Sequence, residues 1–334
     1  MNKICITGGA GMIGSRLVRK LVALNFEVIV IDNLWRGKLS YLENIPGFEI
    51  SPNSFFNIDL AKSENKDQII SVLKDCKAVI HLADIVAGIG YVFNNQYEIF
   101  KVNNEINSLT FNCCVEAGVK RIIYAGTACS FPKNLQMSLD SVLKEDMLFP
   151  AEPESAYGWS KLMGTLELTY LAQQHNVYTT TLMLHNVYGP NCDIDPKRSQ
   201  VIPSIIRRII ELSDHEQLVV WGTGKQGRAF LHVDDVVDGI VSAIDKPNLP
   251  AIIQLGPNYC TSIKELATLL IEKIFNKPVP ISYDLTKPEG DIGRCADFSL
   301  ANRVLGWEPK VSLESGLLET ANWIRQEINK LETK

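Results

Sequence analysis

The chain predicts an α/β fold, a doubly wound parallel sheet followed by a smaller C-terminal domain. Three observations predict it. Apolar strand-like runs alternate with amphipathic helical patterns over the first 185 residues, the signature of a parallel sheet covered on both faces. A glycine-rich turn, TGGAGMIG, separates the first apolar run from the first helical pattern. After Gly189 the alternation thins, leaving too few repeats for a second sheet of the same kind.

The elements follow in order. Lys3 to Ile6 reads as a strand, Met12 to Leu24 as a helix and Glu27 to Ile31 as a second strand. Ala78 to Leu82 is a further strand, Tyr97 to Ala117 a helix, Arg121 to Tyr124 a strand and Ala156 to His175 a long helix. Tyr178 to Leu184 carries three threonines in a row, a β-branched run that favours a strand. Beyond the polar loop Asn191 to Gln200, a helix is expected from Ile202 to Leu212. QLVVWGTGKQGRAFLHV reads as strand, turn and strand, followed by a helix Val233 to Asp245 and a strand Ile252 to Gln254. Helices Ser262 to Phe275 and Leu313 to Leu331 close the chain, and no internal repeat is present.

Composition narrows the function classes. With 334 residues, 46% hydrophobic and 21% charged, the chain has the balance of a soluble protein with a sizeable core. A net charge of −5 gives no support for nucleic-acid binding. No segment approaches the roughly 20 apolar residues of a membrane span, and MNKICITGG leaves no room for a signal peptide. The eight cysteines are scattered with no C-x-x-C pair, so neither a metal site nor a disulfide framework is expected. A reducing, cytoplasmic setting follows.

The first run leads into Thr7-Gly8-Gly9-Ala10-Gly11-Met12-Ile13-Gly14. Gly8 and Gly11 permit a tight turn and close approach of backbone to a pyrophosphate. Gly14 lets helix and strand pack closely, and the helix N-terminus that includes Met12 and Ile13 faces the anion. The second strand ends in Ile31-Asp32-Asn33, about 20 residues beyond the loop, where a carboxylate accepts hydrogen bonds from the adenosine ribose and repels a 2′-phosphate. Asp32 therefore favours NAD over NADP, a preference that the nearby Arg36 and Lys38 temper. Asp59 and Leu60 end the next strand, where Asp59 either meets the adenine or is a solvated turn residue.

Tyr157 and Lys161 form Tyr-x-x-x-Lys at the start of a helix, four residues apart and so on one face. An ammonium beside a phenol favours the phenolate, which can take a proton from a hydroxyl as hydride leaves. The pair alone is common by chance. Together with the glycine loop and Thr127 it becomes specific.

Here the chain resembles the extended short-chain dehydrogenase/reductase family over essentially its whole length. The resemblance runs through TGGAGMIG, the acidic end of the second strand, VIHLAD, Asn103 of KVNN, Thr127 and Tyr157/Lys161. It continues through HNVYGP, WGTGKQGRAFLHVDD and LGWEP. It implies a Rossmann domain that binds NAD, formed by residues 1–185 with about 214–245, and a nucleotide-sugar-binding domain formed by 186–213 and 246–334. It also implies that Leu82 and Asn103 contact the cofactor, that Thr127 hydrogen-bonds the reacting sugar, that Tyr157 is the redox base and that Lys161 also contacts the nicotinamide ribose. Asn186, Arg228 and Arg294 are assigned to the nucleotide-diphosphate sugar, and the two guanidinium forks suit a diphosphate. Trp221 reads as packing. A homodimer through the helices Tyr97 to Ala117 and Ala156 to His175 is implied in the same way.

GTACSFP, Gly126 to Pro132, narrows the chemistry. The family's 4,6-dehydratases typically carry Asp and Glu after the threonine; here Ala128 and Cys129 stand there, against dehydration. Cys129 is similar in placement to the cysteine of GDP-mannose 3,5-epimerases, as are GIGY with Gly88, YAGTACSFP, PAEPESAYG and PEGDIGR. That resemblance implies a GDP-sugar substrate, transient oxidation at C4, proton exchange at C3 or C5 through a thiol, and re-reduction. A thiol suits this because its pKa, about 8.5 unperturbed, moves readily toward neutrality beside cations. The opposite-face lysine of those enzymes has no direct counterpart, since Val201 stands two residues before Pro203. Lys197 and Arg198 are the nearest groups, with Lys197 the candidate; without such a partner the enzyme performs one epimerisation, or the C4 chemistry alone. His185 is either structural or a further acid/base. Cys113 and Cys114 read as core. The rival readings are a nucleotide-sugar 4-epimerase, a 4-ketosugar reductase, and a non-catalytic NAD-binding scaffold.

Overall fold

In the computed structural model, which describes residues 2–213, 215–287 and 290–332, seven parallel strands form one sheet. Across it the order is Ile252–Leu255, Tyr178–Leu184, Arg121–Thr127, Ala78–His81, Lys3–Thr7, Glu27–Ile31 and Phe55–Phe56. Pro288 and Glu289 of PEGDIGR, and Asp214 at the start of the second Rossmann segment, lie outside the described residues. The order reverses between Lys3–Thr7 and its two neighbours, Glu27–Ile31 and Ala78–His81. In register, Thr7 lies opposite both Ile31 and His81, and Thr127 lies opposite Leu184. These carboxyl ends line one edge of the sheet, where doubly wound sheets bind ligands.

Successive side chains of each strand serve opposite faces. Ile4, Ile6, Val28, Val30 and Ile80 pack under the helices Met12–Ala23 and Val233–Ile244. Cys5, Ile29, Ile31, Val79 and Ile122 face the helices Lys66–Leu73, Gln96–Glu116 and Ala156–Gln174. Cys113 and Cys114 are buried in that second layer. A third apolar cluster joins the helices Val201–Glu211, Ile263–Leu269 and Leu313–Glu332 through Ile206, Leu266, Leu317 and Ile324. It includes Met12, so it reaches the nucleotide loop.

Several short elements depart from the sequence reading. QLVVWGTGKQGRAFLHV is not a hairpin: Leu218–Trp221 pairs in parallel with Ile281–Asp284, Gly227–Arg228 pairs antiparallel with Thr261–Ser262, and Phe230–His232 pairs with Asn186–Tyr188. Met137–Leu143, unforeseen and exposed along most of its length, pairs with Gly293–Ala296. The strand before Asp59 is only Phe55–Phe56, so Asp59 sits in the following turn with Oδ1 accepting the Ala61 N–H at 3.0 Å. The expected helix from Ser262 begins with a reciprocal Ser262–Glu265 capping box and changes from α to π geometry after Leu269. The strand Ile252–Leu255, within the segment 246–334 expected to bind the nucleotide sugar, joins the edge of the main sheet.

Candidate active site

A cleft of about 1000 Å³ opens over the carboxyl edge of the sheet. Its walls bring together Gly8, Gly11, Met12, Ile13, Asp32, Asn33, Asp59, Leu60 and Leu82 at one end. Gly88, Thr127, Cys129, Tyr157, Asn186, Lys197, Arg228 and Arg294 line the remainder. Two of the residues singled out by sequence are not on the wall. Lys161 is 1% exposed beneath it, and Asn103 is fully buried. Asn103 instead holds the Ile85 backbone at both its groups, accepting the N–H at 2.7 Å and donating to the carbonyl at 3.2 Å. In this structure its effect on a cofactor runs through the loop it fixes.

The nucleotide end is built as a cradle. Gly11 caps the helix Met12–Ala23 without a side-chain hydrogen bond, so the first-turn N–H groups remain available to an anion. A Cβ on Gly14 would lie 2.3 Å from the Gly8 carbonyl oxygen, so only glycine allows this helix to meet the loop so closely. Asp32 accepts N–H bonds from Ala10 at 3.0 Å and Leu34 at 2.8 Å, which aim its carboxylate at the cleft edge and leave lone pairs for ribose hydroxyls. Burial nevertheless raises its pKa above the ordinary aspartate value, the two N–H bonds opposing the shift. Arg36 donates to the Val86 carbonyl, and Lys38 pairs with Glu327 at 3.8 Å. Both cations thus have protein partners, and the Asp32 carboxylate at the strand end fits NAD.

The redox end rests on a buried polar chain. The Thr7 hydroxyl lies 2.7 Å from His81 Nδ1, His81 Nε2 lies 3.1 Å from Asn107 Oδ1, and Asn107 Nδ2 donates to the Tyr124 hydroxyl at 3.1 Å. With Nε2 facing an amide oxygen, the ring carries its proton there and accepts from Thr7 at Nδ1. Burial, with the nearby Lys161 charge, lowers the His81 pKa to about 3, so the ring stays neutral. Lys161 Nζ lies 4.2 Å from the Tyr124 ring centre and 2.8 Å from Asp84 Oδ2. Burial alone would depress the Lys161 pKa, but Asp84 and Tyr124 outweigh it and hold it above the ordinary lysine value. Burial, then Asp84, Cys129 and Tyr124, raise the Tyr157 phenol well above its ordinary value, while a hydrogen bond with Thr127 works the other way. Asp84 stands in the quoted VIHLAD without an assigned role; the signal for it was a carboxylate directly after a strand end that faces the cleft.

Beside this lies the sulfur. The short turn Ala128–Ser130 begins at Thr127, whose hydroxyl accepts the Cys129 N–H at 3.2 Å. Cys129 Sγ accepts a hydrogen bond from Arg294 Nη2 at 3.1 Å. Arg294 is also held by Asp291 and Gln136, each 2.7 Å from Nη1. Its charged form is opposed by burial but favoured over the ordinary arginine value by Cys129, Asp291 and Glu154. Arg228 donates to the Gly227 and Asp291 carbonyls at 2.7 and 2.8 Å, and burial beside Arg294 lowers its pKa to about 10. The two guanidinium groups, assigned together from sequence, thus differ: Arg294 bears on the thiol, and Arg228 is anchored to backbone. Asp291, Gln136 and Glu154 escaped the sequence reading because each is an ordinary polar residue in a loop or turn.

The remaining residues divide clearly. Gly88 donates its N–H to the Arg198 carbonyl at 2.8 Å, and a Cβ there would lie 2.4 Å from the Ser199 carbonyl, so it seats the loop that carries Lys197. Lys197 is exposed at the cleft wall. Its neighbour Arg198 is committed to Asp193 at 3.2 Å, to Asp195 at 3.5 Å and to the face of Trp35. His185 borders the cleft, but Gln254 Oε1 lies 3.2 Å from Nε2, and burial lowers its pKa to about 4. It is a neutral group fixed on the neighbouring strand.

A dinucleotide cradle joined to a Thr–Tyr–Lys set at one sheet edge defines an NAD-dependent enzyme of the Rossmann class. Comparison with known proteins narrows this. The model of the NAD dependent epimerase/dehydratase family matches residues 4–256, and the chain belongs to that family. GDP-mannose 3,5-epimerase 1 of Oryza sativa subsp. indica is 29% identical over 99% of this chain and 84% of its own. GDP-L-fucose synthase 1 of Arabidopsis thaliana is 30% identical over 96% of this chain and 92% of its own. Among solved structures, UDP-glucose 4-epimerase of Thermotoga maritima with UDP-glucose superposes with a TM-score of 0.85 at 28% identity, covering 98% of this chain and 99% of that one. The family acts on nucleotide sugars with NAD. No helix among the described residues is long and apolar enough to cross a membrane.

Proposed function

We propose that the protein is an epimerase of nucleotide-diphosphate sugars, with a GDP-sugar substrate, that oxidises C4, inverts C3 or C5 and restores C4. The observation that carries this reading is the Cys129 thiol held 3.1 Å from Arg294 in the cleft, two residues from a threonine bonded to the redox tyrosine. Gly8, Gly11 and Asp32 would hold NAD, which would supply the hydride acceptor and donor for C4. Tyr157 accepts the C4 hydroxyl proton during oxidation and gives it back during reduction. While C4 is a ketone, the adjacent C–H bonds are acidified, and the Cys129 thiolate removes one such proton. Arg294 Nη2 donates a charged hydrogen bond to that sulfur at 3.1 Å and fixes its position in the cleft. Lys197, on the facing loop, returns a proton from the opposite side. Arg228 and Asn186 hold the diphosphate and sugar. Residues 1–185 with about 214–245 carry NAD, and segments 186–213 and 246–334, apart from the strand Ile252–Leu255 that joins the main sheet, carry the nucleotide sugar. All eight cysteines are free, in keeping with a cytoplasmic enzyme.

The test is incubation with GDP-mannose and other nucleotide sugars in D₂O, read by mass spectrometry and NMR. Deuterium at C3 or C5, absent with Cys129→Ala while C4 oxidation persists, is the expected outcome. The likeness to UDP-glucose 4-epimerase favours a second reading, inversion at C4 alone. Interconversion at C4 without solvent deuterium would establish that reading in place of the first.

We also propose a homodimer built on the helices Gln96–Glu116 and Ala156–Gln174, which expose Tyr97, Phe100, Trp159 and Tyr170.

A further inference from the structure

We propose that Asp84 is a positioning residue of the redox site, a carboxylate that anchors the Lys161 ammonium and opposes negative charge on Tyr157. The inference rests on the reading of Tyr157 as the redox base, and on no choice among epimerised carbons.

The geometry is specific. Lys161 reaches its place from the first turns of the helix Ala156–Gln174 and is 1% exposed. An ammonium buried to that extent requires a partner, and it has one at 2.8 Å in Asp84, whose side chain is 9% exposed. Asp84 follows directly on Leu82 and Ala83, whose N–H groups point to the Thr7 hydroxyl at 3.2 and 3.3 Å. Its backbone is fixed again one residue later, where Asn103 clasps Ile85 at both polar groups. The carboxylate is therefore held from both sides along the chain, at the cleft wall beside Tyr157.

This placement changes what Lys161 does. A free ammonium beside a phenol favours the phenolate; an ammonium already paired with a carboxylate contributes little net charge to its surroundings. The groups that bear on Tyr157 are Asp84 from the strand-end loop, Cys129 and Thr127 from the turn after the central strand, and Tyr124 from that strand, with Lys161 set against Asp84 and over the Tyr124 ring. Arg294 and neutral His81 stand one contact further out, on Cys129 and beside Lys161. Of the four titratable neighbours only Lys161 can be positive, and Asp84 balances it. Asp84 thus holds the tyrosine in its protonated form and ties its service as a base to the arrival of further positive charge in the cleft.

The experiment uses the full chain labelled with [¹³Cζ]tyrosine, freed of nucleotide, with Tyr157→Phe assigning the signal. Asp84→Asn keeps the shape and removes the charge. Its Tyr157 resonance should titrate at least about one pH unit, or tenfold in proton affinity, below that of wild type, the scale of a nearby like charge. Asp84→Asn/Lys161→Met should move it back up, and Asp84→Glu should restore behaviour close to wild type. Should Asp84→Asn fail to fold, the comparison of Asp84→Glu with Lys161→Met carries the test: Lys161→Met raises the Tyr157 midpoint and Asp84→Glu leaves it near wild type. A Tyr157 midpoint unchanged by Asp84→Asn, or one that rises, overturns the proposal. The readout requires no turnover, so a failure to find C3 or C5 exchange leaves it standing, and its failure leaves the epimerase reading untouched.

Discussion

The pair Cys129 and Arg294 concentrates the chemistry into one hydrogen bond. Arg294 is fixed by Asp291 and Gln136 on Nη1, which leaves Nη2 for the sulfur. That division makes a direct prediction. Arg294→Gln removes the charged donor to Sγ and should slow alkylation of Cys129 by iodoacetamide at pH 7 by about tenfold, the loss of one charge-assisted hydrogen bond. Arg294→Lys should not fully restore it, because an ammonium cannot hold Asp291, Gln136 and sulfur in one plane. The measurement is the alkylation rate by peptide mass spectrometry, with the other thiols as internal controls. Equal rates in wild type and Arg294→Gln would remove Arg294 from the proton-transfer step.

At the scale of elements, the sequence was most readable where burial and period agree. The run Lys3–Thr7 and the helix Met12–Ala23 were legible because a two-sided core imposes apolar residues on them and a glycine turn separates them. Leu218–Trp221 and Phe230–His232 were legible as strands but their partners were not, since nothing local reveals that each pairs with a distant segment. Met137–Leu143 was missed because its alternation breaks at Asp140-Ser141 and only Leu143 is buried. The same contrast holds in the site. Thr127, Tyr157 and the glycine loop stand in motifs, whereas Asp84, Asp291 and Gln136 act through contacts closed by the tertiary fold. Gly158 shows why the motif's neighbours matter: a Cβ there would lie 2.2 Å from the Cys129 carbonyl oxygen, so the helix that carries Tyr157 can rest on the thiol's turn. The outer face of that helix belongs to the proposed dimer. Tyr97 is 76% and Tyr170 58% exposed, large aromatic surface for a monomer to leave in water. Light scattering on the eluting protein at micromolar concentration should give twice the chain mass, and Tyr97→Glu/Tyr170→Glu should halve it. A wild-type protein that elutes at the mass of one chain would refute the dimer.

The whole molecule is held at its functional edge by neutral histidine. His81 links the first strand through Thr7, the helix Gln96–Glu116 through Asn107 and, by way of Asn107, the strand of Tyr124. Its pKa falls from 6.5 to about 3 on folding, chiefly through burial and then through Lys161. The unfolded chain therefore binds a proton below about pH 6.5 that the folded chain does not, and stability must decline as pH falls through that value. The decline continues toward pH 3, at about 1.4 kcal/mol per pH unit for one such group. His185, lowered to about 4 by burial, adds a second slope of the same sign. Asp32, Glu145, Glu154 and Glu167, raised by burial, act in the opposite direction as pH falls, so the His81 contribution is read by substitution. His81→Gln keeps an amide for Asn107 and removes the titration. Urea unfolding at pH 7, 6 and 5 should then show wild type losing stability more steeply than His81→Gln, by roughly 1 kcal/mol per unit. The diagnostic quantity is the difference in slope, which is separate from any fixed loss caused by the substitution. Parallel pH dependences in the two proteins would mean that His81 takes up its proton in the folded state, and that the polar chain beneath Lys161 is charged.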